Sequence, residues 1–222
     1  MNYRIEYTDS LGIVLTEQQK SNLSRYFKLT YDIDTSKLKT KIEYFGDDII
    51  NEGKYYMDSS ENILDVIAQI NPSHRWNIMS DLEIINGYNV WKDNFFQNEE
   101  LSDVYDKKVF NIKGDFIASM RFDSNDRPIS VTKKFDLSNK NKSDENGEII
   151  GVFETGDYVM FEFDSNGSFE ADSSDNHIFW KPYLTLQHFL ENQQNGFVMN
   201  LMTEEMKEYY LNFEPLVPHF QI

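Results

Sequence analysis

The run Tyr158-Val159-Met160-Phe161-Glu162-Phe163-Asp164-Ser165-Asn166-Gly167 alternates apolar and polar side chains, then breaks into turn-forming residues. Successive strand residues point to opposite faces, so Val159, Phe161 and Phe163 share one side, with Tyr158, Met160, Glu162 and Asp164 on the other. Asp, Asn and Gly tolerate the positive φ that a tight reversal needs, and the run therefore predicts a strand that ends in a hairpin turn. The same phrase occurs earlier as Phe122-Asp123-Ser124-Asn125-Asp126, again entered through alternating residues. A chain that uses this phrase twice is built from hairpins.

Working outward, Ile129 to Phe135 returns from the first copy, and Ile149 to Phe153 with Tyr158 to Phe163 predicts a hairpin closed by Thr155-Gly156-Asp157. Val109 to Ile112 and Phe116 to Phe122 predict another across Lys113-Gly114-Asp115. Near the start, Tyr3, Ile5 and Tyr7 alternate as a half-buried strand. Thr16 with Gln19 has capping-box spacing and predicts a helix whose stripe is Leu23, Tyr26 and Phe27. Ile42 to Phe45 and Lys54 to Met57 predict a hairpin. Ser59 or Ser60 then caps a helix that buries Ile63, Leu64, Ile67, Ala68 and Ile70 and stops at Asn71-Pro72.

From Ser73 to about Lys107 apolar residues lack a clean period, which predicts short strands and loops. Asp136 to Glu148 reads as a solvated, mobile loop. Leu186, Phe189 and Leu190 predict a helix ending at Gly196, and Thr203 with Met206, Tyr209 and Tyr210 a final short one. The expected fold class is α+β: a predominantly antiparallel β-sheet built from hairpins with a few peripheral helices. Residues 1–222 are expected to form one domain, with a possible β-α-β-β-α sub-unit over 1–72 and a β-rich remainder over 73–222 with C-terminal helices.

With 38 acidic against 21 basic residues, the net charge of −17 opposes nucleic-acid phosphates and anionic lipid and favours a cationic partner. There is no cysteine, which removes disulfides, thiolate metal sites and a Cys nucleophile and suits a reducing compartment. The opening residues lack the apolar core of a secretion signal, and no run is long enough to span a bilayer, so a cytoplasmic location is expected. Between Ser143 and Trp180 stand ten carboxylates and no Lys or Arg: Asp144, Glu145, Glu148, Glu154, Asp157, Glu162, Asp164, Glu170, Asp172 and Asp175.

Catalytic signals are sparse. Asp32-Ile33-Asp34-Thr35 resembles the paired aspartates of haloacid-dehalogenase-like phosphatases over four residues, without the apolar strand that precedes them there. A loop leaving the first helix explains it as well. Asp164, Asn166, Ser168, Glu170, Asp172 and Asp175 follow the ligand rhythm of a calcium loop, but Phe169 stands where that loop needs Gly, and the flanks alternate as strands. His74, His177, His188 and His219 are scattered and belong to no catalytic spacing. Trp91 with Tyr88, Phe95 and Phe96 reads either as an aromatic contact surface or, more simply, as core packing.

A cysteine-free, acidic, aromatic-rich α+β chain with hairpin phrases such as Glu43-Tyr44-Phe45-Gly46-Asp47-Asp48 and Gly53-Lys54-Tyr55-Tyr56-Met57 resembles bacterial immunity proteins. These neutralise the toxin domains of polymorphic or contact-dependent secretion systems. The resemblance implies a cytosolic protein without cofactor, metal or enzymatic activity that binds a cognate, basic toxin domain and touches neither nucleic acid nor membrane. The residues expected at the interface are Glu154, Asp157, Glu162, Asp164, Glu170, Asp172 and Asp175. Two alternatives are a metal-dependent hydrolase using Asp32, Asp34, Asp47 and Asp48, and an inhibitor that mimics DNA with its carboxylate row.

Overall fold

The computed structural model describes residues 2–46, 49–143, 148–166, 168–173, 187 and 196–221. The strands among these residues form one large mixed, mostly antiparallel sheet of eleven and a sheet of two. The chain divides into two compact units, Met1–Glu83 with Trp91–Asp106, and Ile84–Val90 with Lys107–Ile222. Among the described residues no helix is long and apolar enough to cross a membrane. The α+β expectation holds only coarsely, because the described helices are short and few and the sheet dominates.

In the first unit, β1 (Tyr3–Thr8), β2 (Arg25–Asp32), β3 (Leu38–Phe45) and β4 (Ile49–Tyr56) pair antiparallel in chain order. The capping box at Thr16 and Gln19 forms, but the helix α1 spans only Glu17–Lys20. Tyr26 and Phe27 belong to β2, not to a helical stripe. The reason lies across the ladder: Tyr26 stands opposite Tyr44 and stacks on it at 5.0 Å and 7°, a cross-strand contact no isolated helix offers.

Strand β5 (Arg75–Ile85) runs parallel to β4, and a parallel partner needs a crossover, supplied here by a segment carrying α2 (Ile63–Ile67). Asn62, not Ser59 or Ser60, caps α2, its side chain accepting from the Leu64 amide. The cap shifts the buried face to Val66, which is 1% exposed, while Leu64 is 68% exposed. Val66, Ile70, Trp76, Ile78, Tyr55 and Phe96 make this unit's core.

The stretch 73–107 departs most from expectation. It forms three long strands, β5, β6 (Tyr88–Gln97) and β7 (Glu100–Phe110), each of which contributes residues to both units. Asn86 and Gly87, both at positive φ, make the two-residue turn between β5 and β6.

In the second unit, β8 (Phe116–Phe122), β9 (Pro128–Asp136), β12 (Tyr158–Asp164) and β13 (Phe169–Ser173) lie antiparallel in that order. Strands β10 (Asn141–Ser143) and β11 (Ile149–Val152) pair with each other, so the expected hairpin of Ile149–Phe153 with Tyr158–Phe163 does not form. Part of the segment read as a mobile loop is thus a strand, and Leu137 within it is fully buried. Val159, Phe161 and Phe163 face the core as expected, meeting Phe169, Val131 and Phe135. Short helices α3 (Gly196–Asn200) and α4 (Glu204–Tyr210) follow, the latter capped by Thr203, and Tyr209 and Tyr210 are fully buried. The predicted helical stripe at Leu186, Phe189 and Leu190 lies outside the described residues.

Among these apolar side chains sits a charged one. Lys133 of β9 is fully buried, and its Nζ donates to the Tyr209 carbonyl at 2.6 Å and the Asn212 carbonyl at 2.7 Å, 4.3 Å from the Tyr209 ring. It supplies donors to carbonyls at the C-terminal end of α4, where helical partners run out. Burial pushes its pKa down to about 7, with the charge of Glu214 opposing the shift.

Candidate functional site

Both copies of the Phe-Asp-Ser-Asn phrase lie at strand connections, β8 to β9 and β12 to β13, and both use the aspartate in the same way. Asp123 Oδ1 accepts from the amides of Asn125 at 2.8 Å and Arg127 at 3.0 Å; Asp164 Oδ1 accepts from Asn166 and Ser168, each at 2.9 Å. Backbone amides aimed at a carboxylate favour its charged form, and both aspartates are held below the ordinary value, led by the amides of Arg127 and Ser168. Asp164 is therefore a turn-building residue first. The calcium-loop rhythm has the same explanation: the amides of Asn166 and Ser168 donate into the turn of a hairpin, between strands β12 and β13.

The other interface candidates sort by position. Asp157 also closes a turn, its Oδ2 accepting from the Glu154 amide at 2.9 Å; Glu154 itself is exposed. Glu162 and Glu170 form a directly opposed cross-strand pair on β12 and β13, both exposed on the face away from the core. Thr132 of β9 stands opposite Glu162 on its other side and donates to Glu162 Oε1 at 3.5 Å. Asp172 is opposite Met160 in register, and Asp175 lies outside the described residues. The face is not uniformly negative, because Lys134, over the Tyr158 ring at 4.8 Å, is also opposite Met160.

Of the hydrolase residues, Asp32 ends β2 and Asp34 lies in the turn that follows it. Asp32 Oδ1 accepts from the Thr35 amide at 2.8 Å and from its hydroxyl at 3.0 Å, a self-contained turn after β2. Asp47 and Asp48 lie outside the described residues. Among those described, no three His, Cys, Asp or Glu side chains are grouped as metal ligands. Of the aromatic group, Tyr88 and Phe96 are buried, which supports the packing reading for them, whereas Trp91 and Phe95 are partly exposed.

The first unit holds a cleft that sequence reading did not find. Thr30 pairs with Thr40 and Tyr31 with Leu38, which leaves Lys39 as the extra residue of a β-bulge. A bulge re-aims its side chain, and Lys39, 6% exposed, donates to Asp58 Oδ2 at 2.8 Å and Glu61 Oε2 at 2.5 Å. Glu61 also accepts from the Tyr55 hydroxyl at 2.8 Å and the Asp58 amide at 2.7 Å. Burial opposes the charge of Lys39, but the bonds to Asp58 and Glu61 outweigh it and push its pKa up to about 12. Burial likewise works to raise Glu61, yet its bonds from Lys39, the Asp58 amide and Tyr55 hold it below the ordinary carboxylate range.

Beside this network opens a cleft of about 630 Å³, with Trp91 and Tyr56 in its wall and Asp32, Asp58 and Asp81 among its polar groups. The two rings meet edge to face, 5.7 Å apart at 74°. The carboxylates come from three separate stretches of chain, so no local motif announces them; the bulge at Lys39 leaves no signature in sequence either.

No protein-family model, curated protein or solved structure matches this chain.

Proposed function

We propose that this protein is a cytoplasmic, non-catalytic binding protein that neutralises a basic partner by docking it on the exposed face of the β12–β13 hairpin. The partner class that fits best is the catalytic domain of a bacterial toxin, whose Lys and Arg side chains handle phosphate. The observation that carries the reading is Glu162 opposite Glu170. Like charges in direct register weaken a hairpin. A cationic partner reverses the sign of that term and gains faster encounter through steering. The net charge of −17 acts in the same direction.

The test is affinity capture from the source cell, followed by co-expression of this chain with the captured protein. A one-to-one complex that suppresses the partner's toxicity supports the proposal. A captured set of unrelated DNA-binding proteins would replace it with the DNA-mimic reading, and divalent-metal-dependent turnover by the purified chain with the hydrolase reading.

A further inference from the structure

The cleft of the first unit belongs to neither the hairpin face nor any assigned site, and its chemistry is specific. Trp91 and Tyr56 supply aromatic surface, and a flat π-face attracts a cation placed over it. Lys39 is spoken for by Asp58 and Glu61, which leaves Asp32 and Asp81 against the exposed Lys37 among the charges of the cleft. The Asp32 carboxylate is held in its charged form by the amide and hydroxyl of Thr35. Asp81 meets only its neighbour's hydroxyl, at 3.2 Å from Ser80, among the hydrogen bonds of the described residues. The volume, about 630 Å³, falls within the range of small-ligand pockets.

We propose that this cleft is a binding site for a guanidinium group, with the planar cation against Trp91 and its N–H donors directed to Asp32 and Asp81. Guanidinium fits better than ammonium. It is planar, stacks on aromatic rings, sheds water more readily and offers several donors to carboxylates that come from different elements. The site is independent of the hairpin face, and either stands if the other fails.

The probe is N-acetyl-L-argininamide, titrated into the full-length protein while the Trp91 indole N–H signal is followed by NMR, with a Trp91→Phe variant to assign the peak. The expected result is a saturable shift of that signal, with binding weakened about tenfold or more in Asp81→Asn, as for loss of one charge pair at an aromatic site. Asn tolerates the positive φ of 51° at this position, so the variant keeps the backbone. N-acetyl-L-lysinamide is expected to bind more weakly, and uncharged N-acetyl-norleucinamide not to saturate. Agmatine run alongside separates the sources: tighter binding than the capped arginine assigns a free metabolite, looser binding an arginine of a polypeptide. An unmoved Trp91 signal, a shift unaffected by Asp81→Asn, or lysinamide binding equal to argininamide would overturn the proposal.

Discussion

Glu162 stands directly opposite Glu170 across the β12–β13 ladder, two exposed carboxylates in register above a buried row of phenylalanines. Replacing Glu162 with Gln removes the repulsion and keeps the side chain's shape. Stability of the second unit should rise by about 0.5 kcal/mol, the usual size of a cross-strand charge term, as read by denaturant unfolding at low salt. A loss of stability would show that Glu162 serves the fold.

Asp164 behaves differently from Glu162, though both were read from sequence as outward carboxylates. Its side chain holds two amides of the turn, as Asp123 does in the sister turn. Asp164→Ala should lower stability by leaving those donors to water and loosening the reversal, and Asp123→Ala should do the same. Equal stability of either variant with wild type would remove the turn-building role.

A Cβ added at Gly53 would come within 2.4 Å of Trp76 ring carbons, so the indole lies flat over this residue. Gly53→Ala should destabilise the first unit by about 1–3 kcal/mol through overpacking, with a change in Trp76 fluorescence. The double variant Gly53→Ala/Trp76→Leu should recover part of the loss.

The two buried lysines predict opposite pH behaviour. Lys39 has a folded pKa raised to about 12, so its contribution is fully present below its ordinary 10.5 and is lost as pH rises through 12. Glu61, lowered in the fold, contributes above its ordinary 4.5, and that contribution fades as pH falls. Lys133 is lowered from 10.5 to about 7, so between those values the unfolded chain binds more protons and stability rises with pH. The 13Cε signal of Lys133 should titrate near neutrality, and Lys133→Met should flatten the rise in stability above pH 7. Titration of Lys133 near 10.5 would contradict this.

Local pattern carried most of what was legible in the sequence. The two Phe-Asp-Ser-Asn turns, the inward set Val159, Phe161 and Phe163, the capping box at Thr16 and the short helix after Thr203 follow from spacing alone. Tyr26 and Phe27 misled because their partners across the ladder, Tyr44 and Glu43, lie on another strand, and the ladder overrides a short helical stripe. The three strands between residues 73 and 107 hid because strands that bury side chains on both faces lose the period of two: Trp76, Asn77, Ile78, Met79 and Ser80 are all buried in succession. Asn86-Gly87 within that stretch is a hairpin signal that would have found the turn. For the site, Glu162 was legible as an outward residue, but its register with Glu170 was not, and the cleft at Trp91 depends on stretches brought together only by the fold.

The measurement that bears most directly on the docking proposal is the association rate of the captured partner with wild type and with the Glu162→Gln/Glu170→Gln variant, across ionic strength. Both positions are exposed and the substitution leaves the Asp164 turn intact. Association should slow about tenfold at low salt, with the two proteins converging as salt screens the charges. Identical rates at low salt would contradict it and place the interface elsewhere.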